Sequence, residues 1–206
     1  MTGAVMRFGG FSRPFRGLTV CGDRFFAAES DGSIVAAVVD GLGHGYESSE
    51  AAERAVLVIR EHLHLSPEAI VLRCHAELRE TRGAALGVLK IDPAGRGQFC
   101  GVGNIEVQSL AGRAPSIFCL AGIVGHNLRQ ARSMPFQMDA GDVYCVLSDG
   151  VSARGDGKKG CLPGPPDEVA RKIVETWGRP HDDATALVLG YHADALFAAG
   201  GPRREP

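Results

Sequence analysis

The chain carries six cysteines but no C-x-x-C pair, so the usual spacing of a structural zinc site or a dithiol redox motif is missing. Several of those cysteines sit inside apolar runs such as VYCVL and SIFCL, where a thiol packs as a small hydrophobe. No apolar run is long enough to span a bilayer, and no signal-peptide h-region is present. A reduced, cytoplasmic compartment is the expectation that follows, with no membrane partner. Neither sign of charge dominates: the formal net charge is -2. Nucleic acid is therefore not an expected partner, because it normally asks for a clustered basic face. No linker divides the 206 residues, which fits one domain over 1–192 followed by a tail, 193–206, that is expected to be disordered. Glycine, at 28 residues, is twice the usual ~7% and shows no Gly-X-Y period, which predicts many tight turns and a strand-rich fold.

The most informative stretch is 33–60, SIVAAVVDGLGHGYESSEAAERAVLVIR, which reads as strand, acid, glycine turn and helix. Just upstream, residues 24–30 and 33–40 are apolar runs separated only by Asp31-Gly32. Asp-Gly supplies the positive φ angles of a type I′ hairpin, and a two-residue loop fixes register. Pairing Ser30 with Ser33 brings Arg24 opposite Val39 and Asp23 opposite Asp40. Directly opposed Cβ atoms lie about 4.5 to 5.5 Å apart, where like charges destabilise unless something compensates. A divalent cation would do so; fraying of both ends into solvent is the alternative. Gly41, Gly43 and Gly45 favour the cation, since they clear side chains from just beyond the acid.

Arg7, Arg13 and Arg16 precede Asp23 with no intervening acid. They read either as solvated charges on a lead-in strand or as a contact for an anionic substrate. Beyond the glycine turn, Ala52, Ala55, Val56, Ile59 and Leu63 form a helical stripe, with Glu47 and Glu50 near its start. Ser66-Pro67-Glu68 opens a second helix to about Glu80. His62 and His64 fall too far along to serve the acid site and are expected to be structural or exposed. From residue 84 the period changes to strands: 85–91, 97–102, 105–110, 116–120, a short run near 134–138, and 143–148, read as an antiparallel meander. Gly101-Val102-Gly103-Asn104 reads as a hairpin turn, because no helix follows to make it a phosphate loop. The loop 153–166, with Arg154-Gly155-Asp156, Lys158 and Lys159, reads as flexible. Residues 166–177 form a third helix, with Val169, Ile173, Val174 and Trp177 as its apolar face.

Ser148-Asp149-Gly150 repeats the pattern of apolar strand, Asp, Gly. His181-Asp182-Asp183-Ala184-Thr185 enters a strand over 186–191. An antiparallel pairing of 143–148 with 186–191 would set Asp182 beside Asp149. Either pair alone is an ordinary feature of strand ends. Together they predict four carboxylates at one edge of a β-sandwich, too much charge to leave unneutralised. All-oxygen donors select Mg²⁺ or Mn²⁺ over zinc. Two such ions suit in-line attack of water on a phosphoryl group, which predicts a phosphohydrolase.

Asp23, the VVDGLGHG around Asp40, SDG at Asp149 and DDATALV at Asp182 resemble the acidic motifs of the metal-dependent protein serine/threonine phosphatases, the PPM family. Within it the chain is most similar to the bacterial SpoIIE and RsbX branch, over about residues 18–191. The resemblance implies an α+β fold, a four-layer α-β-β-α sandwich with two central antiparallel sheets. It also implies a centre of two Mn²⁺ or Mg²⁺ ions and phosphoserine or phosphothreonine on a protein as substrate. Carried over by motif, Asp40 bridges the ions, the Gly41 carbonyl binds one of them, Asp149 and Asp182 bind the other, and Asp23 acts directly or through water. Asp183, at a place often held by Asn, is implied as a support for these ligands. The chain departs from the family at Leu42, where many eukaryotic members have a histidine proposed as general acid, and His44 lies two residues too far along to inherit that role. With no sensor or membrane segment evident, the reading is a free-standing phosphatase that resets partner-switching or stressosome signalling by acting on a phosphorylated STAS-domain protein. A general phosphatase opposing an unrelated kinase is one alternative; a non-catalytic phosphatase-fold binding module is the other.

Overall fold

The computed structural model describes residues 4–152 and 162–193. The expected tail beyond Ala193, the loop motif Arg154-Gly155-Asp156, Lys158, Lys159 and Cys161 lie outside those residues, and Ala193 itself is the last residue of a strand. Strands run β1 (Ala4–Arg13), β2 (Asp23–Ser30), β3 (Ser33–Gly41), β4 (Ala84–Ile91), β5 (Arg96–Val102), β6 (Glu106–Ala111), β7 (Met134–Gln137), β8 (Val143–Leu147) and β9 (Ala184–Ala193). Helices are α1 (Tyr46–Glu61), α2 (Pro67–Glu77) and α3 (Pro166–Trp177). They form an α+β sandwich of two antiparallel sheets, ordered β1-β9-β8-β6 and β2-β3-β4-β5-β7.

The layer order follows from side-chain alternation. Successive residues of a strand point to opposite faces. On β3, Val35, Ala37 and Val39 pack with Ala52, Ala55 and Ile59 of α1 and with Ile70 and Cys74 of α2, while Ile34, Ala36 and Val38 face the other sheet. On β9, Leu187 and Leu189 meet that same layer between the sheets, whereas Ala186 and Val188 pack against Val169, Ile173 and Val174 of α3. The order is thus α1/α2, sheet, sheet, α3. Each buried branched side chain contributes about 1.5 to 3 kcal/mol, and all three interfaces are built from such residues.

The Asp31-Gly32 hairpin has the expected register: Ser30 pairs Ser33, Arg24 pairs Val39, and Asp23 pairs Asp40. Asp31 and Gly32 have φ of 51° and 73°, the two positive angles that the turn demands. Ser66 caps α2 by accepting from the Ala69 N–H, with Pro67 in the first turn. The helix ends at Glu77, one turn earlier than the apolar spacing suggested, and the Leu78 N–H closes on the Cys74 carbonyl. The buried stripe of α1 includes Ala51 and Val58 in addition to Ala52, Ala55 and Ile59, with Val56 and Leu63 only partly covered. On α3, Trp177 is likewise at the margin of its cluster.

Two readings of the strand region need correction. The strands do not form one meander: β4, β5 and β7 pair in sequence, but β6 crosses to the opposite sheet and pairs β8. Gly103-Asn104 is therefore a connection between sheets and not a hairpin turn. Residues 116–120 also form no strand; only Leu120 makes a bridge, to Val102. Alternating hydrophobicity reports a half-buried extended chain but not which sheet it joins. The lead-in segment, conversely, is a full ten-residue strand, paired along its whole length with β9.

Candidate metal centre

Asp23 and Asp40 occupy the last cross-strand pair of the hairpin. Their parity is that of Phe25 and Ala27 on β2 and of Ala36 and Val38 on β3, which line the layer between the sheets. Both carboxylates therefore belong to one end of that layer. From the other sheet, Ser148 follows Tyr144 and Val146 in the same alternation, and Thr185 and Asp183 precede Leu187 in theirs. β8 and β9 pair antiparallel, with Leu147 opposite Ala186. That pairing delivers Asp149 and Asp182 to the same end, as the sequence predicted.

Hydrogen bonds sew the two sheets together there. The Ser148 hydroxyl donates to Asp23 Oδ2 at 2.6 Å and accepts the Thr185 N–H at 2.9 Å. Asn104 Nδ2 donates to Asp149 Oδ2 at 2.7 Å, and the Phe15 N–H donates to Asp183 Oδ1 at 2.9 Å. Arg24 supports Asp23 from behind. Its Nη1 donates to the carbonyls of Cys21 and Asp23 at 2.6 and 2.9 Å, while its Nη2 reaches Ser49 Oγ at 2.8 Å and Glu53 Oε1 at 2.6 Å on α1. Gly41 lets α1 close onto the site: a Cβ there would run into the Ser48 carbonyl. Its own N–H donates to the Gly22 carbonyl at 3.2 Å.

The electrostatics are those of crowded acids. Asp23 is only 1% exposed, and burial raises its carboxyl to about 7 despite the Ser148 hydrogen bond, with Asp183 and Asp182 pushing the same way. Asp40 rises to about 8, first through burial and then through Asp23, Asp149 and Asp182. Asp182 is also raised, by burial and by Asp149. The Cys21 thiol rises to about 12 through burial and the neighbouring Asp23, so it is a packing group and not a nucleophile.

Among the described residues no three His, Cys, Asp or Glu side chains are already drawn into a closed ligand set; the acids are held by donors from the chain instead. They nonetheless fit divalent cations. The donors are oxygen, the carboxylates mutually disfavour their charged forms, and Asp183 Oδ2 is buried without a hydrogen-bond partner. Such a set gains most from a hard cation.

The other sequence candidates divide clearly. Arg13, the last residue of β1, lies opposite Ala184 and donates through Nη2 to the Arg179 carbonyl at 2.6 Å. Arg16 is exposed, one residue beyond the Phe15 that bonds Asp183. Arg7 pairs with Gly190, well along β9 from the acids. His62 turns back on its own helix, with Nδ1 at 2.8 Å from the Val58 carbonyl, and stacks near His64, away from the site. Leu42 is half-buried, its N–H bound to the Gly83 carbonyl at 3.0 Å. His44 and His181 both lie beside the Phe15 ring, with centroids 5.0 and 6.4 Å away. Asn104, Ser148 and Phe15 were not singled out from sequence. Asn104 follows a glycine in a turn, the least specific of settings, and Ser148 stood next to a recognised acid without marking its own bond across the sheets.

No family model matches the chain. It is 27% identical over 139 residues to the phosphoserine phosphatase RsbX of Bacillus subtilis (strain 168), covering 66% of this chain and 70% of that one. A solved structure from work on the bacterial stressosome as a modular system adapted to control secondary messenger signalling superposes with a TM-score of 0.80 at 31% identity. That match covers 90% of this chain and 99% of the other. The crystal structure of RsbX in complex with magnesium has the same fold, with a TM-score of 0.78 at 20% identity, over 93% of this chain and all of that one (100%). With the register of the hairpin, the two-sheet architecture and the acidic edge in place, these similarities identify the chain as a member of the PPM-type serine/threonine phosphatases, in the RsbX- and SpoIIE-like branch.

Proposed function

We propose that the chain hydrolyses phosphoserine or phosphothreonine on a protein with two Mn²⁺ or Mg²⁺ ions. The observation that carries this is the convergence of Asp23, Asp40, Asp149 and Asp182 at one end of the layer between the sheets, from elements of both. When bound, the ions supply Lewis acidity, acidifying a water for in-line attack and neutralising the phosphoryl oxygens. Asp40 would bridge them, the Gly41 carbonyl would bind one, Asp149 and Asp182 would hold the other, and Asp23 would complete the set. Asn104 and Ser148 fix the rotamers of Asp149 and Asp23 through the bonds described, the kind of support whose loss costs metal sites 10- to 100-fold in affinity or activity, as an order of magnitude. Arg13 or Arg16, at and just beyond the end of β1, would be the contact for an anionic substrate. Leu42 has no proton to give, so water or another group would protonate the leaving serine oxygen.

The likeness to RsbX and to a stressosome structure supports, as substrate, a phosphorylated STAS-domain protein of a stressosome or partner-switching system, acted on in a cytoplasmic compartment. Two comparisons test the proposal. Hydrolysis of an aryl phosphate should require Mn²⁺ and be lost with EDTA and in Asp40→Asn. A phosphorylated STAS-domain protein should be turned over faster than an unrelated phosphoprotein. Equal rates would overturn the substrate class and leave a general phosphatase, while absence of Mn²⁺-dependent turnover on every substrate would overturn the activity.

A further inference from the structure

Asp183 is the acid that the arrangement above leaves over. It is 2% exposed, and its two oxygens have different fates. Oδ1 accepts the Phe15 N–H at 2.9 Å, whereas Oδ2 is buried with no hydrogen-bond partner. Leaving a buried acceptor unpaired costs about 1 to 3 kcal/mol, and more when it is charged. The nearby hydroxyl groups are engaged with other partners. Ser48 Oγ donates to the Gly45 carbonyl, Thr185 Oγ1 to Ser12 Oγ, and Ser148 Oγ to Asp23. The neighbouring Cys21 thiol interacts with the Asp183 side chain, which raises the thiol's pKa, but a thiol is a weak donor and compensates little. Gly22 offers no side chain: a Cβ there would stand 2.8 Å from Asp183 Oδ2 and 2.5 Å from Ser48 Oγ. Oδ2 thus lies against Gly22, the residue before Asp23, and Asp183 also acts electrostatically on Asp23 and Asp182, on the acidic side of the hydrophobic layer.

We propose that Asp183 Oδ2 is a further oxygen donor of the divalent-cation centre, serving the ion or its hydration shell from the buried side, next to Asp23. The inference rests on the metal-centre reading above and goes beyond its four carboxylates. It gives Asp183 two tasks: Oδ1 holds the connection between β1 and β2 through Phe15, and Oδ2 contributes to cation affinity. A purely structural Asp183 would have only the first task.

Asn in place of Asp183 separates the two, since the amide oxygen still accepts the Phe15 N–H while the charge and the second oxygen are gone. The measurements are calorimetric titration with Mn²⁺ alone and melting temperature with and without Mn²⁺, for wild type, Asp183→Asn and Asp183→Ala. The expected result is that metal-free Asp183→Asn melts close to wild type, since its amide oxygen keeps the Phe15 N–H, while its Mn²⁺ dissociation constant rises about tenfold or more and its Mn²⁺-induced gain in melting temperature shrinks. Asp183→Ala should lose metal-free stability in addition. Wild-type Mn²⁺ affinity in Asp183→Asn would overturn the inference and leave the metal centre standing. So would a metal-free melting temperature lowered in Asp183→Asn as far as in Asp183→Ala. Wild type that binds no Mn²⁺ would overturn the metal-centre reading itself.

Discussion

Asp40 sits where burial and three like charges act on one carboxyl, which sets a pH dependence of definite sign. Its folded-state pKa is about 8, above the ordinary carboxylate value near 3.9. An acid raised in this way favours the fold while protonated, and that contribution is lost as pH rises through the folded value. In metal-free protein the melting temperature of Asp40→Asn should therefore pull ahead of wild type between about pH 4 and pH 8 and hold its lead above that, since over that interval only wild type releases a proton on unfolding. Parallel curves for the two proteins would contradict the environment described for Asp40. Cation binding reverses the direction, because it needs the carboxylates ionised and so strengthens with pH. Ser148 carries a second prediction. Ser148→Ala removes the donor to Asp23 and the acceptor for the Thr185 N–H; denaturant unfolding should show a loss of about 1 to 3 kcal/mol. Asn104→Ala should lower kcat/KM about tenfold or more with little change in unfolding, because Asn104 is exposed and its amide serves the acids, Asp149 directly and Asp40 beside it.

The β2-β3 hairpin is the element that makes the site readable from sequence. A two-residue turn leaves no freedom of register, so Asp31-Gly32 determined that Asp23 and Asp40 would meet. The β8-β9 pair was legible for a related reason, since antiparallel strands bring the exit of one to the start of the other. Where the chain moves between sheets, sequence pattern has no comparable constraint. β6 has the alternation of a strand in either sheet, and for that reason its pairing with β8, and the delivery of Asn104 to Asp149, could not be read. The approach of α1 was half-visible: glycines marked close contact, but only the packed structure shows the Ser48 carbonyl against Gly41. Gly41→Ala should cost about 1 to 3 kcal/mol as an overpacked contact and lower activity with it, measured by melting and by aryl phosphate turnover. At the β1 end, Arg13→Ala and Arg16→Ala should raise KM or lower kcat for a phosphoprotein if these arginines meet its phosphate. Arg7→Ala, paired far along β9, should change neither.

At the scale of the molecule, the acids come from both sheets, Asp23 and Asp40 from one and Asp149 and Asp182 from the other. A cation held among them is a clasp across the sandwich, and it should stabilise the whole fold and not just the loops at one end. At a free concentration one hundred times the dissociation constant, linkage predicts about 2.7 kcal/mol from one ion. The central claim is that the four carboxylates form one divalent-cation centre, and the most direct measurement is the stoichiometry of Mn²⁺ bound by wild type, Asp40→Asn and Asp149→Asn. The account predicts two ions per wild-type chain, fewer in Asp149→Asn and fewest in Asp40→Asn, whose carboxylate is proposed to serve both ions. No Mn²⁺ on the wild-type chain, or equal stoichiometry and affinity in all three, would contradict it.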